Sequence, residues 1–377
     1  MPAGVRELWT DRRRSTGGAT DARLTADVPD SVVMRLLDHD PLSVPLSFAA
    51  AHGAQSREAR GLRRAVAAGR VVRVQRGVFV DQPTWDALDA RARLVLRTRA
   101  AVLGSVCWVA SHASAVAIHD LPRVEQAADR VSVIDTRRAS TKTSATLRIR
   151  PGPLRDEEVV VVSDVRVTCL ERTALDVALT APFEDAVMCV DAVLRRLVLP
   201  RGHRSGHEVD AELARRRTSL LDAIGEGTGP GRAAARRAIA FASPWAENGG
   251  ESLARVVLHE LGVPTPELQR EFTLASATAR FDFFDPAHLA AFEFDGFGKY
   301  ADEAQRGGRS VAEVMRDEKR REAELLDRDD VRVVVRFEYR DLVAPRRLDA
   351  LLTRAGIPAD PRRVAAAARA ARLRFAS

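Results

Sequence analysis

Two adjoining stretches alternate aromatic and acidic residues: Phe281-Asp282-Phe283-Phe284-Asp285-Pro286 and Ala291-Phe292-Glu293-Phe294-Asp295-Gly296. Period two is the pattern of a strand with two different faces, and Asp285-Pro286 is a turn signal between them. Folding the pair as an antiparallel hairpin with residue 284 opposite 289 puts Asp282 opposite Ala291 and diagonal to Glu293, with Asp295 following on the same face. Diagonal neighbours in a ladder lie about 7–8 Å apart, a span that one divalent cation with its waters can bridge. Asp282, Glu293 and Asp295 then share one face, while Phe281, Phe283, Phe292 and Phe294 turn to a core on the other. Polar-out alternation is also what a merely solvated face shows, so the elements around the hairpin have to decide.

Those elements make an α/β unit. Gly249-Gly250-Glu251 opens a helix with Leu253, Val256, Val257 and Leu261 at helical spacing. After the hairpin come a helical stretch, Val311 to Leu326, and an apolar strand from Val331 to Phe337. Asn248-Gly249-Gly250-Glu251 has capping-box spacing, so Glu251 has two readings, a helix cap or a member of the acidic site. Lys319 falls on the stripe Met315, Lys319, Glu322, Leu326, where it serves the site or snorkels at the helix edge.

This part of the chain, about residues 230–357, resembles the restriction-endonuclease-like PD-(D/E)xK superfamily, in the branch related to very-short-patch repair endonucleases. The residues carrying the resemblance are Glu251-Ser252-Leu253-Ala254-Arg255, Gly262-Val263-Pro264, Asp282, Glu293-Phe294-Asp295-Gly296, Arg316-Asp317-Glu318-Lys319-Arg320-Arg321 and Val335-Arg336-Phe337. It implies that Asp282 and Glu293 bind Mg²⁺ or Mn²⁺, with Glu251 assisting, and that phosphodiester bonds are hydrolysed. One departure matters: Asp295 stands where the superfamily commonly has lysine. Asp295 then becomes a further ligand or orients one. The chain has 59 Lys and Arg but only three lysines, Lys142, Lys299 and Lys319. Two of these lie beside the acidic stretch, so Lys299 or Lys319 is the candidate for the displaced charge.

A second constellation lies near the other end. Ser47 to Gly53 reads as a short helix, and Ser56 caps another running to Ala68, with Ala59, Leu62, Ala65 and Val66 inward. Arg57, Arg60 and Arg64 line its outer face with Arg63 beside them, and a hairpin follows over 71–80 with its turn at Gln75-Arg76-Gly77. Helix, turn, Arg-faced helix and basic hairpin describe a winged helix-turn-helix, with the second helix in the DNA major groove and Arg73 and Arg76 on phosphate. An Arg-rich solvated face is the plainer alternative.

Beyond it the sequence reads as α/β. Helices are expected over 91–103, 112–119 and 168–179, the last opened by a Thr-x-x-Glu box, and strands over 130–134 and 159–162. His112 and His119 are assigned structural roles, and Arg172 with Asp176 a helical i,i+4 pair. Residues 41–200 resemble AbiEi-type antitoxins of type IV toxin–antitoxin systems, through Gly69 to Phe79, Ser111-His112-Ala113-Ser114-Ala115, Leu121-Pro122 and Val167 to Asp176. That resemblance implies a DNA-binding regulator that can repress its own promoter and can counter a nucleotidyltransferase toxin.

The whole chain is thus expected to be α/β and multidomain: a poorly ordered tail (1–40), a winged helix (41–85), an α/β middle region (86–204), a connector (205–229), the nuclease-like core (230–357) and an Arg/Ala helix (358–377) offered as a further nucleic-acid contact. Met34 is an alternative start to Met1. The net charge of +7 suits a polyanion. No apolar run approaches the roughly 18 residues of a membrane span, and Cys107, Cys169 and Cys189 are isolated, which fits a reducing cytoplasm. The rival to an endonuclease is a non-enzymatic regulator whose nuclease fold has lost its activity.

Overall fold

Three separate sheets with helices between them make the chain mixed α/β. A computed structural model describes residues 40–49, 57–124, 130–199, 206–275, 277–296 and 320–375.

The N-terminal sheet has the order β1-β3-β2: β1 (Ser47–Phe48), β2 (Val71–Gln75) and β3 (Val78–Asp81). The expected helix at Ser47 is therefore corrected: Ser47 and Phe48 pair antiparallel with Phe79 and Val78. The β2–β3 hairpin turns where predicted, at Gly77, whose φ of +74° suits a residue without Cβ. Helix α1 (Arg57–Ala67) packs beside β2 with Leu62 and Ala65 half-buried, but Val66, expected inside, is exposed. After α2 (Gln82–Ala87), helix α3 (Ala90–Leu103) is buried on two sides. Ala92, Leu96 and Ala100 close the core of the first sheet, while Leu94, Val95, Ala101 and Val102 enter the core of the second.

That second sheet has the order β6-β7-β5-β4-β9-β8, from β4 (Trp108–Ala110), β5 (Val131–Asp135), β6 (Lys142–Thr143), β7 (Leu147–Arg150), β8 (Val159–Val162) and β9 (Val165–Thr168). Helices α4 (His112–Ile118), α5 (Leu170–Thr180) and α6 (Phe183–Val198) follow its strands. The box expected at Thr168 does not cap α5. Cys169 is the N-cap, without a side-chain bond, and the Thr168 hydroxyl instead pairs with that of Thr173 at 2.8 Å. Helices α7 (Gly206–Ile224) and α8 (Arg232–Phe241) bury Val209, Leu220, Ile224 and Ile239 against α5 and α6, so the expected connector contributes to the core.

Helix α9 (Gly249–Leu261) runs from this helical layer to the third sheet, whose order is β10-β11-β12-β13: β10 (Glu267–Thr273), β11 (Thr278–Asp285), β12 (Ala290–Asp295) and β13 (Val333–Glu338). Strands β10, β11 and β12 are antiparallel, and β13 joins β12 in parallel. One face packs Phe283, Phe292, Phe294 and Phe337 on Leu253, Val257 and Leu258 of α9. The other face carries a smaller core of Phe272, Phe284 and Ala291, covered by Leu325 from helical residues 320–326. Phe281, expected with the first set, joins this smaller core, and Leu325 rather than Leu326 is the buried leucine. Helices α10 (Tyr339–Val343), α11 (Pro345–Arg354) and α12 (Pro361–Arg374) complete the chain. Helix α12 is docked: Val364, Ala367 and Ala371 are buried, and Arg374 pairs with Glu184 at 3.0 Å and Glu260 at 2.7 Å. Arg362, Arg369 and Arg372 keep its outer face basic. No helix among the described residues is long and apolar enough to cross a membrane.

Candidate functional site

The register of the acidic hairpin is Phe283 opposite Phe292 and Phe284 opposite Ala291, two residues from the expected pairing. The reason is the connection: Asp285 pairs with Ala290, leaving four residues in the turn. Buried Asp285 accepts the Ala287 N–H at 2.9 Å and bonds His288 Nδ1 at 2.6 Å, which stabilises the wider turn. The ladder between these two strands ends at Phe283 and Phe292, beside Asp282 and Glu293, and Phe281 leaves the face of Phe283 just beyond it. The neighbouring pairings, Leu268 with Phe283 and Arg270 with Phe281, set Gln269 on the other side of Asp282, and Glu293 pairs with Arg336 of β13. One residue from each of the four strands, Gln269, Asp282, Glu293 and Arg336, makes up this acidic row.

Each member is held. Asp282 Oδ2 accepts the Phe294 N–H at 2.8 Å. Arg336 Nε donates to Glu293 Oε2 at 3.1 Å and Nη1 to Glu322 Oε2 at 2.6 Å. Gln269 has φ +54°, a left-handed conformation that a non-glycine residue enters at a cost of about 1–2 kcal/mol; its Nε2 donates to Glu251 Oε2 at 3.1 Å.

Glu251 comes from the first turn of α9. Asn248 caps that helix by accepting the Glu251 N–H at 3.0 Å, as the spacing predicts, but the return bond differs: Glu251 Oε2 takes the Glu247 N–H at 2.7 Å, and Oε1 takes Asn248 Nδ2 at 2.7 Å. Gly250 permits the close seat of this turn, since a Cβ there would overlap the Phe294 ring. Glu251 is 4% exposed. Burial, then the negative charges of Asp282 and Glu247, push its carboxyl up to about 7 against the Glu247 N–H that favours the anion. Glu251 thus braces the start of its helix through Glu247 and Asn248 and also feels the charge of Asp282.

Asp295 lies further along β12, paired in register with Glu338, and lines a cleft of about 310 Å³ with Arg336, Arg340, Arg347 and Arg354. Lys299 and Lys319 fall outside the described residues, as does Met315. Among the described residues no three His, Cys, Asp or Glu side chains are gathered as a ready metal cage.

The predicted DNA-binding arginines are brought to one region. Arg57, Arg60, Arg63 and Arg64 are exposed on α1, Arg73 is exposed on β2, and Arg76 is exposed at the turn. Arg70, between α1 and β2, is also exposed and was missed. Gln269 was missed too. Arg336 carries no assigned role in the sequence reading, although it and Arg332 are the two charged residues of an otherwise apolar strand. His119 Nε2 bonds the Thr168 carbonyl oxygen at 2.7 Å, and Arg172 Nε bonds Asp176 Oδ1 at 2.9 Å.

Compared with protein-family models, curated proteins and solved structures, the chain matches none of them.

Proposed function

We propose that the chain is a DNA-binding protein whose C-terminal α/β region hydrolyses phosphodiester bonds with a divalent cation. The observation that carries this reading is buried Glu251, whose carboxyl is raised to about 7 by burial and by the charge of Asp282, on a helix packed against the strands that carry Asp282 and Glu293. The donor set fits such an ion. Mg²⁺ keeps several waters and takes one or two protein carboxylates, and the like-charge repulsion evident at Glu251 is what a cation relieves. Asp282 and Glu293 would hold it, with Asp295 nearby on β12. When bound, it supplies Lewis acidity and an acidified water.

The chain's own groups do the rest. Glu251, titrating near neutrality, can take or return a proton. Gln269 orients the Glu251 carboxylate. Arg336 brings positive charge beside Glu293, where the usual lysine is replaced by Asp295. The N-terminal sheet with α1 fits a winged helix whose exposed arginines contact phosphate, and the resemblance to AbiEi-type antitoxins supports its role in finding DNA.

A second reading has its own observation. Arg336 already pairs with Glu293 and Glu322, and Glu251 accepts three hydrogen bonds. A regulator or antitoxin that binds DNA, and a nucleotidyltransferase toxin, without cutting would be content with those pairs.

The experiment combines thermal unfolding with and without Mg²⁺ or Mn²⁺ and nicking of plasmid and branched DNA. The nuclease reading expects a metal-dependent rise in midpoint and nicking, both lost in Asp282→Asn while DNA binding stays. No metal shift and no cut substrate would establish the regulator reading.

A further inference from the structure

A second charged cavity lies far along the chain from the acidic row. It is a cleft of about 300 Å³ between β5, β7 and the helices α4, α5 and α6. Arg148 and Arg150, alternate residues of β7, both line it, with Arg130 just before β5 and Arg123 after α4. Ser132 of β5 is paired in register with Arg148, and its hydroxyl accepts from Arg150 Nη1 at 3.5 Å. His112, 8% exposed, sits at the inner end with Nδ1 3.0 Å from Ser111 Oγ.

The charges do not balance. Four arginines line the cleft against Asp185, which accepts the Val124 N–H at 2.7 Å, and Asp176, whose Oδ2 lies 3.8 Å from His112 Nδ1 at the inner end. Elsewhere this chain pairs its inward arginines closely, as in Arg99–Asp164, Arg255–Asp191 and Arg374–Glu260. Arg130 and Arg148 have no carboxylate partner among the described residues. Arg172, behind the cleft, is taken by Asp176 and Glu158. Burial and the charge of Arg148 weaken the hold of Arg150 on its proton, against the charge of Asp176, which strengthens it. Burial, then Arg150, Arg172 and Arg148, push His112 down to about 3, so the imidazole adds no further charge. Planar guanidinium forks match phosphate oxygens in pairs. A concave site of this size takes the end of a small ligand, whereas duplex phosphates lie on a convex surface.

We infer that this cleft binds a phosphorylated small molecule, with Arg148 and Arg150 on one side of its phosphates and Arg123 and Arg130 on the other. This goes beyond the DNA-binding and nuclease reading and does not depend on it.

The test uses the full chain, with inorganic pyrophosphate and, separately, the four nucleoside triphosphates as probes, against sodium chloride at equal ionic strength. Pyrophosphate or a triphosphate should raise the unfolding midpoint by several degrees beyond the chloride control. Arg148→Ala and, independently, Arg130→Ala should each weaken binding by about tenfold or more, the loss of a charge-assisted bond. Arg130 is exposed, so that variant should fold normally, and Arg73→Ala should leave the shift intact. A midpoint rise no larger than chloride gives, or one retained in both cleft variants, overturns the proposal. So does a result in which Arg148→Ala weakens binding of a short DNA duplex while no phosphate probe shifts the midpoint, because the cleft is then a DNA contact.

Discussion

The Arg-lined cleft and the acidic row are electrical opposites built on the same kind of scaffold, strand residues with a side chain brought in by a helix. In the cleft the crowd is positive, and the buried helix residue is His112, held neutral. In the row the crowd includes Asp282 and Glu247, and the buried helix residue is Glu251, held near half-protonation at neutral pH. In each place the ionisable group gives up the charge that would add to the crowd. Burial is the larger cause in both, because a buried charge loses its hydration before any neighbour acts on it. The difference teaches that the sign of a neighbourhood can be read from the residue that has stopped carrying it.

The comparison breaks most visibly in pH. The His112 imidazole falls from 6.5 to about 3 on folding, so the stability it contributes is present above pH 6.5 and is lost as pH falls towards 3. The Glu251 carboxyl rises from 4.5 to about 7, so its contribution is full below pH 4.5 and is lost as pH rises towards 7. Across roughly pH 4.5–6.5 the two slopes oppose, each worth about 1.4 kcal/mol per pH unit. Relative to wild type, Glu251→Gln should therefore gain stability as pH rises through that window, and His112→Gln should gain it as pH falls. Denaturant titrations at several pH values measure both; parallel curves for variant and wild type would remove the pairing. Summed from pH 6.5 to 3, the His112 effect reaches about 5 kcal/mol.

The two regions are joined by a buried ion pair. Arg255 of α9 bonds Asp191 of α6 at 2.7 Å, both at most 3% exposed, and its other nitrogen bonds the Phe241 carbonyl oxygen at 2.7 Å. Asp191 also accepts the Ser243 N–H at 2.7 Å, and burial raises its carboxyl above the usual range against Arg255. Asp191→Ala leaves the guanidinium buried and unpaired, and should cost about 3–5 kcal/mol in equilibrium unfolding. Replacing both partners with apolar residues should recover much of that. If the single variant unfolds as wild type does, the link is not structural.

A smaller effect sharpens the acidic side alone. Gly250→Ala puts a Cβ into the Phe294 ring, an overpacking that should cost about 1–3 kcal/mol. Because this seat holds Glu251 against Asp282, the variant should also bring the Glu251 titration, followed by NMR, back towards that of an ordinary carboxyl. A normal midpoint with an unchanged titration would show that the helix terminus is not what positions the acid.

Local residue pattern settled much of this molecule. Alternation announced β11 and β12, Gln75-Arg76-Gly77 announced the hairpin turn, and Asn248 announced the start of α9, since each depends on side chains a few positions apart. The carboxylates of the candidate site and the arginines of α1 were legible for the same reason. What only tertiary structure decided involves partners distant in sequence. Ser47–Phe48 looks helical but pairs with β3, because pairing satisfies its backbone groups. The hairpin register followed from buried Asp285 and a four-residue turn, which alternation alone cannot count. Gln269, Arg336 and the Arg148–Arg150 cleft acquire meaning only once strands far apart in sequence lie side by side, where burial and neighbouring charge act through space.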